Sequence, residues 1–174
     1  VLISWNMESQ KKHPRTFSFE FFPPKTPEGV QKLGNTWRQL AQLKPRFFSV
    51  TYGAGGSTRE RTLATVVEIR RAGFHAAPHV SCIGSTRADI AETLELYRAQ
   101  GIRHIVALRG DLPSGAASFG ELRYAHELVE FIRERTGDHF HIDVACYPEF
   151  HPQARSARDD VLNFKRKIDA GANS

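Results

Sequence analysis

One strand-and-helix unit repeats five times along the sequence, at intervals of about thirty residues, and no other feature restricts the possible folds as much. The five segments with strand patterns are residues 16–22, 47–51, 75–80, 104–108 and 141–147. The five helical patterns cover residues 27–43, 58–72, 87–100, a segment ending near residue 135, and 156–170. Strands that are joined by helices run parallel, so the sequence predicts an α/β protein with a parallel sheet.

Two architectures contain this repeat, the doubly wound open sheet and the (β/α)8 barrel. A complete barrel takes roughly 250 residues, whereas this sequence has 174 and stops after its fifth helix. We therefore expect it to be the N-terminal part of a longer protein. Residues 1–15 are predicted to form an irregular arm, and residues 16–174 the first five units of one domain.

The fourth predicted strand ends in the most informative local pattern, Arg109-Gly110-Asp111. Residues 105–108 before it are continuously apolar, which is typical of a strand covered on both faces. A cation, a flexible backbone and a carboxylate then follow at the carboxyl end of the strand. Ligands of parallel α/β proteins bind at this end, so we expect the tips of all five strands to face one site.

Glu20 lies in the second half of the first strand, between Phe19 and Phe21. A carboxyl group enclosed by aromatic rings is costly to ionise, which would make a general acid possible near neutral pH. The alternation of the strand equally permits an outward-facing polar position. The pattern alone leaves both interpretations open.

The tips of the second and third strands give weaker signals. Gly53, Gly55 and Gly56 could bring backbone amides to an anion, but neither glycine-rich nucleotide fingerprint is present. His79 and Cys82 have the spacing of half a zinc site. Because no second pair with suitable spacing follows, we predict no metal site.

The fifth strand is followed by polar aromatic residues and then by a helix with a polar face. Tyr147 and His151 could stack on a ligand or bond to it. Asp160, Asn163 and Lys167 fall on one face of the last helix, which begins on the tip side of the sheet. Solvated surface and ligand contact both remain possible for this face.

The net charge of +5 favours anionic partners, such as phosphate-bearing cofactors, polycarboxylates or nucleic acid. The absence of long Lys/Arg runs and of RNA-binding signatures disfavours nucleic acid. Cys82 and Cys146 are the only cysteines, which indicates a reducing, cytoplasmic setting. Residues 1–5 are too short a run for a signal peptide or a membrane span. An enzyme and a non-enzymatic module that binds phosphate or nucleic acid both remain open.

Several longer segments, taken together, resemble methylenetetrahydrofolate reductase, in the form of its bacterial-type catalytic domain. These segments are residues 17–24, 49–54, 77–79, 104–113, 147–152 and 163–173. The resemblance implies a flavin-dependent (β/α)8 TIM barrel, of which this chain covers about five units. It also implies that further folate contacts, including a glutamine, lie beyond residue 174.

The activity implied by the resemblance is the reduction of 5,10-methylenetetrahydrofolate to 5-methyltetrahydrofolate, which serves one-carbon metabolism and methionine biosynthesis. NADH or NADPH would reduce bound FAD, and the flavin would then reduce the folate in a ping-pong sequence. The partners would be small molecules. The protein would be cytoplasmic and would form a homo-oligomer. Another FAD-dependent barrel enzyme, similar to proline dehydrogenase, is the alternative with the same fold and cofactor.

The resemblance assigns catalytic roles to two carboxyl groups. Glu20 matches the general acid that helps to open the five-membered ring of the folate. Asp111 matches the carboxylate that meets the pterin and tunes the flavin.

The resemblance also implies a set of cofactor-binding residues. They are Thr51, Tyr52, Ala54, His79, Arg109, Gly110, Asp111, Ala125, Tyr147, His151, Ala154, Asp160, Asn163, Arg166 and Lys167. Thr51 matches a position near the nicotinamide. As cations, Arg166 and Lys167 suit the FAD pyrophosphate, and Arg109 suits the isoalloxazine region.

Overall fold

Strands and helices alternate along the chain in the computed structural model, which describes residues 16–53, 56–111, 120–147 and 149–174. The strands are β1 (Ser18–Phe21), β2 (Phe47–Val50), β3 (Ala76–Ser81), β4 (His104–Leu108) and β5 (His141–Val144). The helices are α1 (Pro27–Ala41), α2 (Arg59–Arg71), α3 (Arg87–Ala99), α4 (Ala125–Thr136) and α5 (Ala157–Asp169). The predicted elements are confirmed, except that β5 ends three residues early. The predicted arm at residues 1–15 lies outside the described residues.

A tertiary hydrogen bond follows directly after β5. The carbonyl of Ala145, directly after the strand, accepts a hydrogen bond from Lys167 Nζ on α5. This carbonyl is therefore satisfied by a side chain of the following helix.

The five strands form one parallel sheet in the order β1-β2-β3-β4-β5. Crossovers between parallel strands are right-handed, so a sheet that grows in one direction carries all of its helices on one face. A doubly wound sheet reverses its order and carries helices on both faces. The observed order is therefore that of a partial TIM barrel, and the predicted fold class is confirmed.

The hydrophobic core lies between the helices and the face of the sheet that they cover. The strands contribute Phe21, Phe48, Val50, Val80, Ile105, Ala107, Ile142 and Val144. The helices contribute Trp37, Val66, Ile69, Leu94, Tyr97, Leu128, Val129 and Ile132. This apolar layer fixes which strand residues point away from the helices, because side chains alternate along each strand.

The other face of the sheet, called the inner face here, is more polar and less buried. Along β4, Ile105 and Ala107 are fully buried, whereas His104, Val106 and Leu108 are half-buried. Within the described residues, the helix-facing side of β4 is therefore fully covered, whereas its inner-facing side is partly covered. The helices pack on the opposite face of the sheet only, and no described element packs fully over the inner face.

Side-chain caps fix the starting points of three helices near the carboxyl ends of the strands. Thr26 Oγ1 accepts a hydrogen bond from Gly29 N, at 3.1 Å, and opens α1. Thr86 and Asp89 form a complete capping box at α3. At α5, Ser156 Oγ accepts a hydrogen bond from Asp159 N at 3.1 Å. Caps of this type each contribute about 0.5–2 kcal/mol.

Candidate functional site

A groove with a cavity volume of about 660 Å³ lies at the carboxyl ends of β4 and β5. We call it the tip groove. It is bounded by the residues after β4, by the start of α4, and by the segment that leads into α5. The predicted site residues that line it are Arg109, Gly110, Asp111, Ala125, Tyr147, His151, Ala154, Asp160, Asn163, Arg166 and Lys167.

Gly110 forms the floor of this groove at a point where no side chain fits. Its φ is +81°, a left-handed backbone conformation that favours glycine. A Cβ built at Gly110 would lie 2.0 Å from Ser81 Oγ, and that hydroxyl donates a hydrogen bond to the Arg109 carbonyl at 2.9 Å. The glycine therefore allows the tip of β4 to turn directly against the end of β3.

Arg109 connects the tip of β4 to the segment before α5. Its Nη2 donates to Gln153 Oε1 at 2.9 Å, and its Nε donates to the Gly110 carbonyl at 3.2 Å. Asp111 Oδ1 lies 3.9 Å from Arg109 Nη2, and the Asp111 side chain is fully exposed. A fixed guanidinium with a free carboxylate beside it can contact both the anionic and the polar parts of a ligand.

Aromatic rings and backbone contacts shape the far wall of the groove. The Tyr147 and His151 rings pack edge to face, with centroids 4.7 Å apart. The backbone N–H of His151 donates to Asp160 Oδ2 at 3.0 Å, and His151 Nδ1 accepts a hydrogen bond from Gln153 N at 3.0 Å. The segment before α5 is therefore tied to the helix face that follows it.

The polar face of α5 lines the groove, which favours the second of the two interpretations left open for it. Asp160, Asn163 and Lys167 all line the cavity. Arg166 Nη1 donates to Asn163 Oδ1 at 2.7 Å. Lys167 is half-buried, and this burial lowers its pKa. Two adjacent cations, one of them partly desolvated, form a favourable place for an anion.

Glu20 and His79 lie together on the inner face, toward the tips of β1 and β3. Glu20 Oε2 is 3.4 Å from His79 Nε2. His79 is only 5% exposed, and burial lowers its pKa to about 4, so the ring is neutral at pH 7. The contact therefore joins a carboxyl group to a neutral imidazole.

Of the two interpretations left open for Glu20, the described residues favour the outward-facing polar position. The Glu20 side chain is 55% exposed. Phe19 and Phe21 instead stack on Phe48, with centroids 6.2 Å and 5.5 Å away. Because strand side chains alternate, the rings join the helix-covered core while Glu20 faces the other way.

Thr51 and Tyr52 lie outside the tip groove. The Thr51 carbonyl accepts a hydrogen bond from Thr62 Oγ1 at 2.8 Å, which ties the end of β2 to α2. Tyr52 lines a separate cavity of about 300 Å³ with Arg59, and its hydroxyl is 3.5 Å from Thr93 Oγ1. Ala54 lies outside the described residues. The tips of β4 and β5 therefore share one groove, while those of β1 to β3 adjoin it along the same edge of the sheet.

Other lining residues were not predicted from the sequence. They are Tyr124, His126, Gln153, Arg155, Asp159 and Leu162, together with Ala107, Leu108 and Ala145 at the strand ends. Gln153 and Arg155 could have been suspected, because they lie between His151 and a helix that starts on the tip side. Within the described ranges, no helix has both the length and the apolar character needed to cross a lipid bilayer.

Comparisons with known proteins agree on one family. The family model described as methylenetetrahydrofolate reductase matches residues 6–174. The 5,10-methylenetetrahydrofolate reductase of Salmonella typhimurium is 51% identical over 157 residues, covering 90% of this chain and 52% of that protein. The Escherichia coli protein of the same name is 50% identical over the same length and coverage. This chain therefore spans about half the length of these relatives.

More distant proteins match as well. A plant relative, methylenetetrahydrofolate reductase (NADH) 1 of Arabidopsis thaliana, is 39% identical over 171 residues, covering 90% of this chain and 29% of that protein. The structure of phosphoenolpyruvate phosphomutase from Streptomyces platensis subsp. rosaceus superposes with a TM-score of 0.57 and 11% identity. That superposition covers 96% of this chain and 61% of the other, and it supports the fold alone.

We predict that Gly110→Ala lowers the free energy of unfolding by about 2–4 kcal/mol, through backbone strain and overlap with Ser81. In a Ser81→Ala background the same substitution should cost at least about 1 kcal/mol less, because the overlapping hydroxyl is gone. Denaturant unfolding of the four proteins in this cycle measures the difference. Equal costs in both backgrounds would contradict the packing described for the tip of β4.

The buried neutral state of His79 predicts a pH dependence of stability. Its pKa is about 4 in the folded protein and 6.5 as the ordinary value, so the unfolded chain binds the proton first as the pH falls. The free energy of unfolding should therefore decrease as the pH is lowered from 7 to 4.5, and His79 should account for about 2 kcal/mol of that decrease.

The measurement compares the free energy of unfolding at these two pH values in the wild-type protein and in His79→Gln. The variant should lose about 2 kcal/mol less than the wild type. His75→Gln, at an exposed position, is the matched control and should behave as the wild type. Identical losses in all three proteins would show that His79 is not held neutral by burial.

Proposed function

This chain belongs to the methylenetetrahydrofolate reductase family, and from this premise we propose that it forms the FAD-binding half of an enzyme that reduces 5,10-methylenetetrahydrofolate. Residues 16–174 would form the N-terminal part of a single barrel domain. NADH or NADPH would supply the electrons, in a ping-pong sequence that ends with 5-methyltetrahydrofolate. The observation that carries this proposal is the convergence of eleven of the fifteen assigned cofactor contacts on the tip groove.

The tip groove suits a dinucleotide in size and in chemistry. Its volume of about 660 Å³ lies within the range of about 300–1,000 Å³ that is usual for small-molecule sites. Arg166 and Lys167 would hold the pyrophosphate, because paired cations bind phosphate oxygens strongly. Gly110 would allow the ligand to approach the backbone closely. The Tyr147 and His151 rings offer aromatic surface to a flat group.

When bound, FAD supplies the transfer of hydride between the nicotinamide and the folate. Arg109 would orient the isoalloxazine region, since Gln153 and the Gly110 carbonyl hold its guanidinium in place. Asp111 lies 3.9 Å from the Arg109 guanidinium and its side chain is fully exposed, so its carboxylate could contact a pterin at the mouth of the groove. In this assignment, Arg109 contacts the flavin, whereas Asp111, two residues later in the same turn, contacts the folate.

Glu20 would act as the general acid that donates a proton as the five-membered ring of the folate opens. The neutral imidazole of His79 lies 3.4 Å away and can orient the carboxyl group without adding a charge. A cationic histidine here would favour the ionised carboxylate and oppose proton donation. The buried position of His79 is therefore consistent with this role.

The cellular setting and the assembly are also part of the proposal. Cys82 and Cys146 are both free thiols, and burial raises the pKa of Cys82 to about 11, so its thiol stays protonated. Two unpaired cysteines fit a reducing cytoplasm. We assign small-molecule partners and a homo-oligomeric state. The family match does not favour the nucleic-acid-binding module or an enzyme similar to proline dehydrogenase.

Two lysines of α5 test the cofactor assignment. Lys167 lines the groove, whereas Lys165 is 65% exposed and paired with Asp169 on the same helix. We predict that Lys167→Gln weakens FAD binding by about 10- to 100-fold, the cost of losing one charge-assisted contact to an anion. Lys165→Gln removes the same charge from the same helix and should change the affinity less than about twofold.

The measurement is a titration of the full-length apoprotein with FAD, followed by the quenching of flavin fluorescence. Circular dichroism of both variants verifies that α5 is intact. If the two variants bind FAD equally well, the polar face of α5 is not the cofactor contact, and the assignment of Arg166 and Lys167 is wrong.

A further inference from the structure

A second cluster of chemically reactive side chains lies at the opposite, amino-terminal end of β4 and β5. His104 and His141 are the first residues of these strands and are partners in the register. Asp143 follows two residues after His141, so it lies on the same inner face. Among the described residues, these three form the one group of three or more His, Cys, Asp or Glu whose ligand atoms lie within 4.8 Å of one another.

The three side chains converge on one point. His104 Nε2 lies 2.8 Å from Asp143 Oδ2, and His141 Nε2 lies 3.1 Å from Asp143 Oδ1. The two imidazole rings are nearly perpendicular, at 88°, with centroids 5.0 Å apart. Both Nε2 atoms therefore face the same carboxylate from different directions.

We propose that His104, His141 and Asp143 bind a divalent transition metal ion of the zinc class. Two imidazole nitrogens and one carboxylate oxygen are a donor set that such ions prefer. Bonds of about 2.1 Å in a tetrahedral site place the ligand atoms about 3.4 Å apart. The contacts of 2.8 Å to Oδ2 and 3.1 Å to Oδ1, and the limit of 4.8 Å within which one ligand atom of each residue lies, all differ from this spacing by less than about 1.5 Å. Small side-chain rotations can therefore bring both nitrogens and one carboxylate oxygen around an ion.

The surroundings of the cluster restrain two of the three ligands. His104 and Asp143 are 24% and 19% exposed, and the Phe47 ring packs against His104 with centroids 4.6 Å apart. His141 is 43% exposed and offers the route by which an ion enters. Restrained ligands lose little conformational entropy on binding, so the ion would meet a largely formed site.

The fourth position would be taken by water or by the hydroxyl of Ser174. Ser174 Oγ lies 2.9 Å from His141 Nε2 and donates a hydrogen bond to Asp143 Oδ1. The backbone of Asn173 and Ser174 is already bonded to the β5 residues Ile142 and Val144. An ion here would therefore link β4, β5 and the segment after α5.

This site is separate from the tip groove. His104 begins β4 and Arg109 follows its end, so the two sites lie roughly 16 Å apart at about 3.3 Å per residue. The amino-terminal face of a barrel serves stability, whereas the carboxyl face serves catalysis. We therefore assign the ion a structural role that is independent of FAD and of the proposed reduction.

Binding would compete with protons, because each histidine must offer an unprotonated Nε2 to the ion. The test uses the full-length protein without a histidine tag, dialysed against a chelator and titrated with Co²⁺. We expect one equivalent to bind with the visible absorption of a tetrahedral site, Zn²⁺ to displace it, and Zn²⁺ to raise the melting temperature. The same result should be obtained with and without FAD.

Variants locate the site. His141→Gln and Asp143→Asn should each weaken Co²⁺ binding at least tenfold, whereas the exposed His75→Gln should bind as the wild type does. His141 is partly exposed, so its variant is expected to fold, and circular dichroism verifies this. The proposal is overturned if the wild-type protein develops no such absorption, or if folded His141→Gln binds Co²⁺ with unchanged affinity.

Discussion

The right-handed crossover between neighbouring parallel strands is the constraint on which the rest of this structure depends. Because the strand order never reverses, every described helix packs on the same face of the sheet. Glu20, His79 and the residues in register with them therefore lie on the inner face. The same constraint brings all carboxyl ends to one edge of the sheet. Arg109 and Tyr147, 38 positions apart in the sequence, can therefore line one groove.

The functions that we propose lie at different ends of the strands and in different halves of the sheet. At the carboxyl edge, β4, β5 and α5 provide a cationic, partly aromatic groove suited to FAD. β1 and β3 provide a carboxyl group beside a neutral imidazole, suited to proton transfer. At the amino-terminal edge, His104, His141 and Asp143 form the proposed metal site, which would strengthen the same sheet. In this proposal, cofactor binding, proton transfer and metal-dependent stability thus depend on different residues of the same sheet.

The sequence predicted the order and type of the elements well, because hydrophobic periodicity and helix caps are local signals. It predicted the polar face of α5 for the same reason. It left the surroundings of Glu20 undecided, since the neighbours of a strand residue in sequence point to the opposite face of the sheet. It also missed the metal-type cluster, because His104 and His141 meet only through the register of β4 with β5, which no local pattern specifies.

We propose above all that the strand tips bind a flavin that serves a folate reductase in which Glu20 delivers the proton. The most direct measurement follows the flavin absorbance of the full-length protein without oxygen, first with NAD(P)H and then with methylenetetrahydrofolate. We predict that the wild-type absorbance bleaches and then recovers, and that Glu20→Gln bleaches normally but recovers about 10²- to 10⁴-fold more slowly. A protein that binds no flavin, or equal recovery in both proteins, would contradict this account.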